Sequence, residues 1–411
     1  MDRAGVTPAL AAALLLAALA PRPAAAVEVN TRQSVQTGIR IRTPLPGDAS
    51  RNWFTGDLEV LPVLQGALRW HRTLLSLRLN PSLMVREPHL QQRQVFALAA
   101  GQLSLTTRGD RWDLQLEQEG SWGVQDVGTL RNPDGSLPTG VPEVQTLGAV
   151  PFLRSATSVT LNGTPAPRFG YGLMAGYLVQ GSPDPTNVTM PLQWGPNGLG
   201  RVRWQPAHPD WVTTALTASQ RTFSTGQQQF ISMLTGAWDR SWSTRVNSSL
   251  GAGVALTRET IIEVPGGPLP GDYLEVLPVV FASVGTREHI NQQVLSFQLA
   301  ARLAPFADRF TGGVYERAEA DAQLTWQPER TLTLRPNIGF AYAVPVGRAT
   351  QAGDRVFFAE GTVTWWAQPW LGLVAYSRVA LVSQPRLGIV DQVQWLGTLS
   401  VMVQNEQSFV W

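Results

Sequence analysis

Apolar and polar residues alternate along most of this chain after residue 26. Side chains of a strand point to opposite faces in turn, so such alternation marks strands with one apolar and one wet face. In 72–85, Leu75, Leu77 and Leu79 share one face, and Ser76, Arg78 and Asn80 the other. In 111–122, Trp112, Leu114 and Leu116 oppose Asp113, Gln115 and Glu117. In 292–303, Leu295, Phe297, Leu299 and Leu303 oppose Ser296, Gln298 and Arg302; 331–344 behaves in the same way. The last stretch, Val393 to Trp411, carries Val393, Trp395, Leu399, Val401 and Val403 on its odd positions and mostly polar or small residues between them. No long stretch shows the 3.6-residue spacing of an amphipathic helix, and the pattern predicts an all-β chain.

The joins between these strands are of two kinds. Short ones fall at 70–72, 108–111, 163–168, 206–210, 239–241, 288–291, 327–330 and 367–369. Longer joins, mostly rich in Pro and Gly, fall at 43–55, 87–93, 123–151, 182–197, 259–272, 305–313, 345–354 and 384–390, with a brief one at 224–226. Short and long alternate. Eight short and nine outer joins predict about 18 strands, with 16 also compatible, and place both chain ends at the end of the short turns.

The chain closes on Trp411, and ten other tryptophans lie within a few residues of a short turn: Trp70, Trp112, Trp204, Trp211, Trp238, Trp242, Trp326, Trp365, Trp366 and Trp370. Trp suits a boundary where an apolar body meets a wet edge. A terminal strand ending on an aromatic, alternating turn lengths and an aromatic girdle resemble bacterial outer-membrane β-barrels. The resemblance implies an up-and-down antiparallel transmembrane β-barrel with both termini periplasmic, its apolar face toward lipid and its polar face toward a lumen. At this strand number side chains cannot fill the interior.

Composition sharpens this picture. Met1-Asp2-Arg3, the apolar run from Pro8 to Ala20 and the segment ending Ala24-Ala25-Ala26 have the layout of a secretory signal peptide cut after Ala26. Residues 27–411 then form a single barrel domain, with no linker or composition shift inside them. With no Cys there is neither a disulfide framework nor thiolate chemistry. All 32 basic residues are Arg, and a net charge of +2 gives no bulk basic character for nucleic acid. No later segment has the roughly 18 consecutive apolar residues of a membrane helix.

Catalytic chemistry is poorly represented. His71, His208 and His289 lie in short turns and His89 in an outer join, none at metal-ligand spacing from another. Asn132 and Asp134 read as a turn rather than a calcium loop. We expect no enzyme, no cofactor and no metal. The informative residues are those on the polar faces. Arg40, Arg78, Arg335 and Arg378 fall mid-strand, and Arg69, Arg203, Arg245 and Arg302 nearer the ends. Asp113, Glu117, Glu319 and Asp321 share that face. These residues either form an Arg wall opposed by acids across the lumen, sorting solutes by charge, or pair between neighbouring strands.

The expected function is an outer-membrane channel for polar or anionic solutes or for an exported polymer such as exopolysaccharide. A non-conducting receptor, adhesin or assembly barrel is the alternative, with a rim enzyme behind it. The expected partners are the lipid bilayer, the outer-membrane barrel assembly machinery and periplasmic export components. The join 123–151, apolar at Leu130, Leu137, Val141, Val144 and Leu147, suits a loop folded into the pore, or one packed as an external lid or against a partner.

Overall fold

The computed structural model describes residues 27–43, 55–86, 95–126, 149–184, 190–261, 271–290, 293–307, 313–346, 353–384 and 389–410. The expected leader (1–26), Trp411, His89 and most of the join 123–151 lie outside them. The described strands are Val27–Arg42 (β1), Thr55–Trp70 (β2), Thr73–Leu79 (β3), Ser82–Arg86 (β4), Val95–Arg108 (β5), Trp112–Asp126 (β6) and Ala149–Ala166 (β7). Next come Phe169–Gly181 (β8), Gln193–Ala207 (β9), Asp210–Phe223 (β10), Gln228–Ser241 (β11), Val246–Ile261 (β12) and Gly271–Ile290 (β13). Gln293–Ala307 (β14), Val314–Glu329 (β15), Leu332–Pro345 (β16), Asp354–Gln368 (β17), Leu371–Gln384 (β18) and Ile389–Val410 (β19) complete them.

Apart from β3 and β4, every strand pairs antiparallel with its neighbour in sequence, and β19 returns to pair with β1 from Glu28↔Val410 to Arg42↔Leu396. The sheet is therefore a closed barrel with no free lateral edge, which removes the aggregation hazard of an open sheet. β3 and β4 form one stave, since both pair with β2 and with β5. The break between them is Asn80-Pro81. Proline has no N–H for the ladder, and the Asn80 amide donates to the Ala100 carbonyl at 2.9 Å beside it. Counted as staves, the barrel has 18. Short and long joins alternate as the sequence pattern placed them, with the turn after β11 at 242–245 rather than 239–241, and Val27 and Val410 end beside Trp70, at the short-turn end.

The outer face is apolar because the alternating rows require it. Ile39, Leu58, Val254, Val276, Ile338 and Leu399 all point outward and are exposed. Exposed apolar surface encircling a barrel is the inverse of a water-soluble protein and matches a lipid-facing band. Trp112, Trp204, Trp238, Trp242 and Trp326 are exposed near the short turns, and Trp70 shares the outer face with Leu68.

Two of the expected girdle residues do not belong to it. Trp211 shares the inner face with Thr213, and Arg203 stacks over its ring at 4.1 Å. Trp366 also points inward, because its outward neighbour is Trp365, paired with Leu332. Proximity to a turn identified the height of these side chains but not their face; one residue of phase reverses the face. Trp370 sits in the turn itself and is exposed.

The closing strand is longer than a membrane span needs. Its pairing with β18 ends at Leu371↔Val403, while pairing with β1 runs on to Val410. The last residues thus extend as ordered strand rather than as a tail.

Glycine is required at Gly181, with φ of 128° and the Pro191 carbonyl oxygen only 2.3 Å from where a Cβ would stand. Gly181→Ala is expected to lower barrel stability by about 1–3 kcal/mol, read as a shift of the urea midpoint of the refolded protein. A midpoint unchanged from wild type would show that the local backbone relaxes freely.

Candidate functional site

The inner wall is the candidate site, and its two halves differ. Toward the longer joins, inward side chains are buried: Arg40, Asp57, Phe96, Phe152, Gln229 and Thr257 among them. Toward the short turns the wall is open. There a cavity of about 800 Å³ is lined by Arg245, Asn247, Arg287, Gln298, Gln323 and Thr325 with neighbouring turn residues.

The densest charge cluster is formed by β1, β2 and β4. Asp57 accepts from Arg40 at 3.4 Å and from Arg86 at 3.1 Å. Glu59 lies 3.8 Å from Arg40, Met84 contacts the Arg40 guanidinium, and Arg86 stacks over Phe96 at 4.7 Å. Among the described pairs, two cations and two carboxylates thus meet out of contact with water, the arrangement that buried charge requires.

Elsewhere the contacts also run along the sheet, mostly between adjacent strands. Arg154 binds Glu119 at 2.9 Å. Asp113 accepts from Asn162 at 3.0 Å, and Asn162 accepts from Arg201 at 3.1 Å. Glu117 accepts from Gln102, and Arg78 is opposite Gln102 in the ladder. Arg302 is opposite Glu319, which binds Arg317 of its own strand, and Asp321 lies two residues along the same face. Glu360 accepts from Asn337 at 3.0 Å and from Tyr376 at 2.8 Å, with Arg378 opposite it and over Phe358 at 5.0 Å. Arg335 is on the inner face and exposed.

The expected wall residues therefore stand on the inner face with one exception. Arg245 is in the turn between β11 and β12, at the rim, 3.7 Å from Glu288. Its turn runs four residues beyond β11, which carried it off the strand. Asp57, Glu59, Arg86 and Glu360 were not anticipated. The alternation Gly56-Asp57-Leu58-Glu59 carried the signal for the first two, since both carboxylates must share one face. Among the described residues, the charges of the wall pair laterally, along the sheet.

Among the described residues no three His, Asp or Glu side chains converge as a metal site. The described wall offers hydroxyls, amides and paired charges, a surface suited to hydrogen-bonding a solute.

The model of the EpsX exopolysaccharide export family matches residues 23–408. No curated protein matches the chain in sequence. Among solved structures, a BenF-like porin from Pseudomonas fluorescens Pf-5 is similar at TM-score 0.51 and 9% identity, over 93% of this chain and 99% of that one. OpdK, an outer membrane protein of Pseudomonas aeruginosa, is similar at TM-score 0.49 and 10% identity, over 92% and 99%. At 9% identity the likeness to the BenF-like porin speaks to fold alone: a porin-type β-barrel.

Proposed function

We propose, since this chain belongs to the EpsX exopolysaccharide export family, that its barrel is the outer-membrane conduit through which exopolysaccharide leaves the cell. The observation that carries the reading is the inner wall: closed by β1 and β19, polar along the open half, and with its charges paired laterally. A hydroxyl-rich polymer exchanges hydrogen bonds with such a wall without being held by any one strong charge.

The remaining expectations follow from this orientation. The leader through Ala26 directs export, the short turns and both termini face the periplasm, and the barrel assembly machinery inserts the chain. Periplasmic export components deliver polymer to the short-turn mouth. No step of this passage calls on catalysis.

Purified barrel in a planar bilayer is expected to conduct salt in discrete steps. A deletion strain is expected to lose cell-surface polysaccharide while retaining intracellular precursor. Silence at all voltages, with polysaccharide export intact in the deletion strain, would favour a receptor or adhesin barrel instead.

A further inference from the structure

The barrel's register joins residues that are far apart in sequence into one row. Asn247, the second residue of β12, is opposite Gly285, which is opposite Gln298. Gln298 is opposite Gln323, Gln323 opposite Asn337, and Asn337 opposite Glu360. Glu360 is opposite Arg378, Arg378 opposite Leu396, and Leu396 opposite Arg42, the last residue of β1. Asn247 is one residue from a short turn and Arg42 stands at the start of a long join. The row therefore climbs the inner wall from one mouth to the other, as perpendiculars to tilted strands must.

Its middle members are amides and charged groups on five consecutive strands, with no apolar side chain among Gln298, Gln323, Asn337, Glu360 and Arg378. Its lower end opens into the cavity at the short-turn mouth, whose lining includes Asn247, Gln298 and Gln323. Its upper part holds polar atoms that lack a protein partner and are shut off from solvent. These are Oδ1 of Asn337, Nε and Nη2 of Arg378, and both amide atoms of neighbouring Gln394, a side chain 6% exposed. Buried polar groups are nearly always satisfied, so each such orphan calls for a ligand or a water. Nε and Nη2 form one edge of a guanidinium, the edge that meets a carboxylate with two parallel hydrogen bonds.

From these observations we infer that the row Gln298–Gln323–Asn337–Glu360–Arg378 is a saccharide track. Its amides hydrogen-bond successive sugar hydroxyls, and Arg378 with Gln394 receives a carboxylate-bearing unit as the upper wall opens. The inference rests on the conduit reading and adds to it the path and the class of sugar.

The test uses the whole barrel in planar bilayers, with salt current blocked by maltohexaose or by an oligogalacturonate of equal length. In Gln298→Ala/Gln323→Ala the half-blocking concentration of both sugars is expected to rise, by about fivefold for each hydrogen bond lost. Arg378→Gln is expected to weaken the acidic sugar alone. Thr364→Ala, on the inner face but off the row, is expected to change neither. Equal block in wild type and Gln298→Ala/Gln323→Ala, or an equal shift in Thr364→Ala, overturns the track while leaving the conduit standing. An adventitious water shell at Arg378 would show as an unaltered preference between the two sugars in Arg378→Gln, and overturns the acidic station. A barrel that passes no salt and binds neither sugar by calorimetry overturns the conduit reading itself, and the track with it.

Discussion

Asp57→Ala is expected to destabilise the folded barrel by about 3–5 kcal/mol, the cost of leaving buried charges without their partner. Asp57 is 1% exposed and accepts from two guanidiniums, Arg40 and Arg86, on the strands to either side of it. Removing it leaves an excess of positive charge in a zone without water. Glu59, 3.8 Å from Arg40, offsets part of that excess but stands two residues nearer the short turns. Urea unfolding of barrel refolded into vesicles, followed by tryptophan fluorescence, measures the loss. The double variant Arg40→Met/Asp57→Leu should recover part of it, because apolar replacement of a buried pair is often close to neutral. A shift under about 1 kcal/mol in Asp57→Ala would mean that water reaches the cluster and the burial does not persist in the bilayer.

The second large effect is expected at the seam. Leu399 of β19 is opposite Ile39 of β1 and exposed on the outer face, so Leu399→Arg places a cation in the lipid band. The expected cost is about 2–4 kcal/mol near the midplane, seen as loss of the heat-modifiable folded species in gels. Thr398→Arg, one residue away, points into the lumen and should be tolerated. Equal loss in both variants would refute the assignment of faces at the closing strand. It would also return the apolar face to the barrel interior, as in a soluble protein.

Much of the fold is legible in the sequence. Period-two alternation fixed the strands, and turn length fixed their direction, because both are local properties of sequence. The faces of Leu77, Leu116 and Leu299 followed from the same rows. Trp211 and Trp366 were misassigned because closeness to a turn gives height and not phase. The Asn80-Pro81 break could be read as a turn residue pair, yet only the partners on both sides show that β3 and β4 remain one stave.

The candidate site was legible as a set of residues and illegible as an arrangement. That Arg302 is opposite Glu319, or that Asp57 sits between Arg40 and Arg86, depends on the stagger of non-adjacent segments. Stagger is set jointly by every turn around the barrel, so no single strand announces it. For the same reason the row from Asn247 to Arg42 has no counterpart in the linear pattern.

That row has a mechanical consequence. A chain that keeps contact with it cannot move straight along the barrel axis; it must swing around the wall as it rises, like a bolt in a threaded bore. Advance and rotation are then one motion. A polymer released at its leading end can swivel and proceed, whereas one tethered at both ends would wind up torsional strain with every unit passed.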